Sequence, residues 1–474
     1  MNSSSRWSAA PWSVPPATGG FSPLDEELGL LPQVTLTPTL VESVVRLGSW
    51  IPFTQTPTLL AHFVHTQVSE ATVTRLTERA GAAYEAVQEA QYAQLQQDAG
   101  PLVQGPPLQQ VSVDGAMVPL VHKQWVEAKT VAIGTVQPPR HQADGTVAIH
   151  TSDLSYFSRV ADCHDFTEKA TIETMRRGTL TAGTVCGVVD GAVWEQGFLD
   201  VQCPAAVRIL DWPHGVGYLA NVAQALYGVD TNENHAWLAA QRQTLLHGDP
   251  QVVLHKLRGL QEELTLQAGE GPPPPALAVI TESLEYLDKR AEQIRYAAFR
   301  ALGYPIGSGA VESANKLVVE ARLKGAGMHW APAHVNPLLA LRGMACSDRW
   351  EEGWPQLVTQ WRAQARTQTR ERRQRRQAAR QAARDRAEAP TIPPEAAATL
   401  PPSCLASLPA APRSPTPGTP PSLPAPQAHV APAGSLHPPS PRRHPGPARP
   451  RRPAADHCWR RPFLTRRSSP NPGM

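Results

Sequence analysis

Val111-Ser-Val-Asp-Gly-Ala-Met-Val-Pro-Leu120 alternates apolar and polar side chains with the period of a half-buried strand. Beyond it, Glu127–Val136 continues as a second strand and Gly145–His150 as a third, closing an antiparallel meander. Residues 156–178 then read as a helix, with Phe157, Val160, Phe166, Ile172 and Met175 near helical spacing. Val185-Cys-Gly-Val-Val-Asp-Gly191 opens with a short apolar run of the buried-strand type. Val207–Leu210 is another, ending at Asp211. Three strands, a helix, a strand, a helix and a strand is the order of a ribonuclease-H-like α/β domain.

The flanks differ in character. Residues 1–20 read as a disordered leader, and 21–105 as helical, with apolar positions three and four apart through Leu40, Val44, Val45 and Leu47, then Leu59, Leu60 and Phe63. Ser69 is placed as an N-cap after a short break. Exposed Thr72, Thr74 and Arg75 on the helix that follows fit a helix-turn-helix DNA-binding unit, and a plain helical bundle fits equally well. The catalytic domain is expected over 106–214 and again over 303–361. Residues 215–302 are too long for a simple connection and read as a helical insertion. An Arg-rich helix over 362–389 leads into a Pro/Arg-rich tail, 390–474, which lacks the apolar periodicity needed to offset ordering entropy and is expected to be disordered.

The net charge of +3 over 474 residues conceals an asymmetry. Residues 362–474 hold 20 Arg and no Lys against 5 acids, a net of +15, which leaves −12 on residues 1–361. An acidic body therefore carries a basic extension suited to a polyanion. No run of apolar residues is long enough to span a membrane, and the N-terminus has no basic stretch followed by an apolar one. The six cysteines contain no CxxC pair, which argues against a zinc knuckle or a disulfide scaffold and fits a reducing cytosol.

Two strand-like runs each deliver an acid and a glycine, Val113-Asp114-Gly115 and Val189-Asp190-Gly191. An aspartate at a strand exit is held rigidly beside the sheet, while the glycine admits substrate backbone. A third acid, Glu312, follows the Gly-rich turn in Tyr304-Pro-Ile-Gly-Ser-Gly-Ala-Val-Glu-Ser-Ala-Asn-Lys316 and sits about one turn into a helix. Three such carboxylates suit two hard divalent cations, Mg²⁺ or Mn²⁺, acting on a phosphodiester.

Ser112–Leu120, Val188–Asp200, Ile209–Tyr218, Tyr304–Trp330 and Cys346–Trp350 together resemble the ISKra-type insertion-sequence transposases, which are Mutator-like DDE enzymes. The resemblance covers residues 21 to about 375. It implies Asp114, Asp190 and Glu312 as the catalytic and metal-binding acids, and Asp211-Trp-Pro-His214 as the family's Asp/Cys-x-x-His element. From the residues alone, His214 reads as a capping or core histidine; the resemblance moves it to the active site, beside Asp211 or near the scissile phosphate. Lys316, Arg322 and Lys324 share the Glu312 helix. They read either as solvated charge or as clamps on the phosphates of transposon ends. The implied activity is metal-dependent cleavage and strand transfer of double-stranded DNA by a homo-oligomer assembled on that DNA, in a cytoplasmic, nucleoid-associated setting. A ribonuclease-H-like nuclease that cuts without joining, and an inactive DNA-binding remnant, stay open beside it.

There are two departures from the family pattern. Family members carry two Cys-x-x-Cys elements just before the stretch that here reads Pro23-Leu-Asp-Glu-Glu-Leu-Gly-Leu30, but Ala17-Thr-Gly-Gly20 precedes it and no cysteine does. The N-terminus is therefore read as truncated. The tail after Ala389 has no family counterpart. It is either a nucleic-acid-binding extension or translation past a lost stop.

Overall fold

In the computed structural model, which describes residues 27–388 apart from 33, 99, 144–146 and 270, the strand containing Asp114 is the centre of a mixed sheet. β1 (Leu108–Pro119) pairs antiparallel with β2 (Trp125–Val136), setting Val113 opposite Val131. Arg140–His141 (β3) and Val147–Ala148 (β4) form a separate two-stranded ribbon. β5 (Thr151–Arg159) lies antiparallel outside β2. β6 (Thr184–Val189) pairs parallel with β1, and β7 (Val207–Leu210) parallel with β6, giving the order β5-β2-β1-β6-β7. The fold is α/β.

The third sheet strand thus differs from the expectation. It is Thr151–Arg159 rather than Gly145–His150, and the following helix α4 begins at Cys163 rather than at 156. The reason is local. Tyr156 and Phe157 pack on opposite faces of the sheet, the two-residue period of a strand, and the spacing of Phe157, Val160 and Phe166 only imitates a helix. The Asp162 carboxylate accepts the Asp165 amide and fixes the true helix start.

The N-terminal helices, numbered before α4, are α1 (Pro38–Trp50), α2 (Thr56–Phe63) and α3 (Glu70–Gln97). Ser69 caps α3 through the Thr72 amide, as its sequence suggests. α4 (Cys163–Arg176) and α5 (Val193–Gln202) cover one sheet face, where Val111, Val131, Ile133 and Val189 meet Phe166, Phe198 and Leu199. After β7 the chain runs into α6 (Trp212–Tyr227), α7 (Asn232–His247), α8 (Pro250–Ala268), α9 (Pro275–Asp288) and the short α10 (Tyr296–Ala301). These bury Leu219, Leu245, Leu254 and Leu284 against Val188 and Ile209. The chain returns through α11 (Gly309–Ala314), a π-helical turn over Asn315–Glu320, and α12 (Pro332–Cys346), which pack on Ala116, Val118 and Ala128 of the other face.

The N-terminal helices share one core with α12 and the start of α13 (Trp350–Glu388): Val44, Leu76 and Ala80 lie among Leu341, Met344, Leu357 and Trp361. Gly81 lets α3 approach α12, since a Cβ there would stand 2.4 Å from the Pro337 carbonyl oxygen. Arg349 reaches from the α12–α13 turn to the buried Glu173 of α4, donating to both carboxylate oxygens at 2.7 Å. The buried Arg159 at the end of β5 pairs with Glu85 and Glu89 of α3. The described residues all lie in a compact unit that ends at Ala389. The leader 1–20 and the tail 390–474 fall outside the described residues. No helix among the described residues is long and apolar enough to cross a membrane.

Candidate active site

The parallel register of β1 and β6 builds the site. Val111 stands level with Gly187, and continuing that pairing along both strands brings Asp114 level with Asp190. Asp190 leaves the end of β6, and the first turn of α5 carries Glu195 back beneath it. Asp114, Asp190 and Glu195 each present an oxygen, and these three oxygens lie within 4.8 Å of one another. Glu195 is buried and the two aspartates are half-buried.

Each carboxylate is held by its own neighbourhood. Asp114 accepts the Gly115 amide at 2.7 Å and the Asn315 side-chain amide at 2.9 Å. Asn315 opens the π-helical turn, a distortion often found where a helix serves a site. Asp190 accepts the Ala192 amide at 3.0 Å, and Glu195 accepts the Gly191 amide at 3.1 Å.

Burial pushes Glu195 up to about 10, helped by its hydrogen bond to Asp190 and by the charges of Asp190 and Asp114. Glu195 is therefore protonated at neutral pH and donates to Asp190. Burial also acts to raise Asp190. That is outweighed by the hydrogen bonds from Glu195 and the Ala192 amide, together with His214 and Arg290, so Asp190 lies below the usual carboxylate range. Asp114 lies above it, chiefly through burial and secondarily through Asp190 and Glu312. Three acids held close with a shared proton form a site short of positive charge. Its donors are all hard oxygens, the set that suits Mg²⁺ or Mn²⁺.

Glu312, expected as the third ligand, is not in this group. It sits exposed in the first turn of α11 and shares with Asp114, Met117, Asn315, Lys316 and Lys324 the lining of an open cleft of about 360 Å³. Its charge reaches Asp114, but Glu195 occupies the third place. Glu195 was legible only as an acid in the first turn of a helix that follows Asp190 directly. Nothing in its spacing distinguishes it from an ordinary helix-start acid.

The remaining sequence candidates separate cleanly. Asp211 is buried and acts as a structural clamp, outside the group of three acids. One of its oxygens accepts the His214 amide at 3.1 Å and caps α6, and the other accepts the Ser308 amide at 2.6 Å, tying β7 to the loop before Glu312. His214 binds Asp211 through its backbone only, while its exposed side chain lies close enough to Asp190 to lower it. Lys316 is exposed on the cleft, and Lys324 pairs with Glu320 at 2.8 Å.

Arg322 does not face the cleft and is unavailable to phosphate. It is 1% exposed, lies between the Phe53 and Trp330 rings, and donates to the Gly48 carbonyl at 3.0 Å. Arg75 is exposed on α3, whereas Thr72 and Thr74 are half-buried, each with its hydroxyl bonded within the first turn of that helix.

Both glycines beside the acids make room for the protein's own side chains, not for substrate. A Cβ on Gly115, which lies inside β1 rather than at its exit, would meet the Glu127 carboxylate at 2.3 Å. Gly191 has φ +90°, and a Cβ there would meet the Tyr286 hydroxyl at 2.4 Å and the Arg290 guanidinium at 2.7 Å.

Those two α9 and post-α9 side chains grip the turn that carries Asp190. Tyr286 donates to the Asp190 carbonyl at 2.5 Å and Arg290 to the Gly191 carbonyl at 2.6 Å, while Tyr286 stacks on Tyr218 at 4.0 Å. The helices after β7 thus set the geometry of Asp190. Tyr286→Phe keeps the stacking and removes one hydrogen bond of about 1 kcal/mol. It should weaken Mn²⁺ binding by roughly fivefold with the melting temperature nearly unchanged. Equal Mn²⁺ affinity in the two proteins would show that the grip does not position Asp190.

No family model matches the chain, and no curated protein matches it at a significant level.

Proposed function

We propose that this protein is a DDE-type DNA transposase of the ISKra, Mutator-like kind, built on a ribonuclease-H-like sheet and cutting and joining DNA with Mg²⁺ or Mn²⁺. The observation that carries the reading is the meeting of Asp114, Asp190 and Glu195 within 4.8 Å at neighbouring positions of two parallel strands. The sheet order β5-β2-β1-β6-β7, with an antiparallel meander joined to parallel strands, supports the fold part of the reading. The grip of the helical block on the Asp190 turn supports its identification as the family's insertion.

Asp114, Asp190 and Glu195 would hold one divalent cation, and Glu312, across the cleft, is the acid left for a second. Bound there, such cations would activate the attacking oxygen and stabilise the leaving oxygen of a phosphodiester. The chain's own residues do the rest. Asn315 fixes the rotamer of Asp114, and the Ala192 amide fixes that of Asp190. Lys316 on the cleft wall binds a phosphate oxygen. His214, exposed beside Asp190, contacts the strand next to the scissile phosphate. The substrate is double-stranded DNA, bound by a homo-oligomer.

The test is incubation of the full chain with Mn²⁺ and the DNA that flanks its gene. Nicks with free 3′-hydroxyls together with joined products support the transposase. Nicks without joining support the nuclease reading, which the same carboxylates serve. Metal-independent binding with no cleavage supports the remnant.

A further inference from the structure

We propose that the outer half of α13, together with Arg75 of α3, is a second contact surface for the backbone of duplex DNA, separate from the carboxylate cleft. The inference rests on the reading of DNA as the substrate, but on none of its chemistry. From Arg366 to Arg386 every residue of the helix is exposed.

Its positive charge is densest along one face. At 100° per residue, Arg370, Arg376, Arg380 and Arg384 fall within an arc of about 120° that runs for about 21 Å along the helix. Glu371 and Asp385 lie on the far side. None of those four arginines has an ion-pair partner among the described residues. The rest of the circumference holds Arg372, Arg375 and Arg386 among Gln, Thr and the alanines Ala378, Ala379, Ala382 and Ala383. There is no stripe of Leu, Ile, Val or Phe to pair with another helix or to enter a lipid surface. An exposed helix whose guanidiniums are densest along one face and which has no apolar seam has the chemistry of a phosphate-backbone contact.

A further basic cluster lies where the helix meets the folded body. Arg79 of α3 lies below the usual arginine range, first through burial and then through the nearby charges of Arg75 and Arg372. Arg75, Arg79 and Arg372 therefore converge where α13 leaves the core. Like charges one turn apart, Arg372 with Arg376, Arg376 with Arg380 and Arg380 with Arg384, oppose an isolated helix. A polyanion along the row relieves that repulsion.

The test uses the full chain in EDTA, which silences metal chemistry, with a fluorescent random-sequence duplex titrated at several salt concentrations. Each phosphate contact contributes about −0.9 to the slope of log affinity against log salt. Replacing Arg370, Arg376, Arg380 and Arg384 together by Gln, which keeps helix propensity, should make the slope shallower by about 3 and lower affinity at low salt by about a hundredfold or more. The same four changed to Lys should restore most of both, which separates lost charge from lost folding. Arg75→Gln should remove about one further unit of slope.

An unchanged slope in the Gln variant, with the wild type binding duplex, overturns this surface and leaves the DNA reading standing. A wild type that binds no duplex overturns the DNA reading itself. Tighter binding to anionic vesicles than to duplex, lost in the Gln variant, overturns the choice of partner.

Discussion

Asp114→Asn should reduce metal-dependent cleavage by about a thousandfold or more while leaving duplex binding intact. Removing one carboxylate from a cation site forfeits several kcal/mol of stabilisation of the charge that develops in the transition state, and each 1.4 kcal/mol is about tenfold in rate. On the proposed function the same change takes an anion away from a surface facing DNA, so affinity for DNA should hold or rise. Folding should not suffer. Asp114 is half-buried, burial disfavours its charged form, and an amide fills the same space. The comparison needs cleavage, binding and a melting curve on one preparation. Cleavage that survives the substitution would remove Asp114 from the chemistry.

The largest effect on stability is expected at Arg349. Glu173 is 1% exposed, and Arg349 meets both of its oxygens, with Arg176 as a third contact at 3.0 Å. Breaking a buried pair from one side typically costs about 3–5 kcal/mol, because the remaining charge is stranded. Arg349→Met should cost that much at pH 7.

The pH dependence gives the sign. Burial alone would raise Glu173, but Arg349 and then Arg176 outweigh it and hold it below the usual range. In the wild type this contribution is present above the unfolded carboxyl value, about 4.3, and is lost as pH falls through the folded one. Without Arg349 burial dominates, Glu173 shifts upward, and the variant's deficit is greatest at neutral pH and shrinks toward pH 4. Urea unfolding at pH 7 and pH 4 reads this directly. A deficit equal at both values would show that lost packing, not the stranded charge, is responsible.

Arg349 also shows what a sequence conceals. It lies in Cys346–Trp350, one of the stretches that carry the family resemblance, yet its partner is a glutamate on the far side of the chain, and pairing at such separation leaves no local pattern. Local patterns were legible wherever the period was unambiguous: β1, β2, β6 and β7 fall where alternation or apolar runs place them, and Ser69 caps α3. The third strand was misplaced because Phe157 and Val160 fit two periods at once. Asp114 and Asp190 were visible as Val-Asp-Gly repeats, and the parallel register brings them together. Glu195 as the third acid of the group and Asn315 as the support of Asp114 were not visible, because their places depend on where α5 and the π-helical turn point. Arg322 looked like a phosphate clamp because charge in a helix is usually solvated. Here Phe53, Trp330 and the Gly48 carbonyl supply a buried cation site instead.

Asp114, Asp190 and Glu195 are proposed to form a divalent cation site, and Glu195 gives it a distinctive signature. Glu195 is protonated up to about pH 10, so a cation must displace that proton to use its oxygen. One proton released per cation makes affinity rise about tenfold per pH unit below that value. The decisive measurement is a Mn²⁺ titration of the full chain at pH 6, 7 and 8, with free Mn²⁺ read by electron paramagnetic resonance, on the wild type and on Asp190→Asn. The predicted result is binding that tightens about tenfold with each unit of pH in the wild type and is lost in the variant. No Mn²⁺ binding by the wild type, or equal binding by the two proteins, would contradict it.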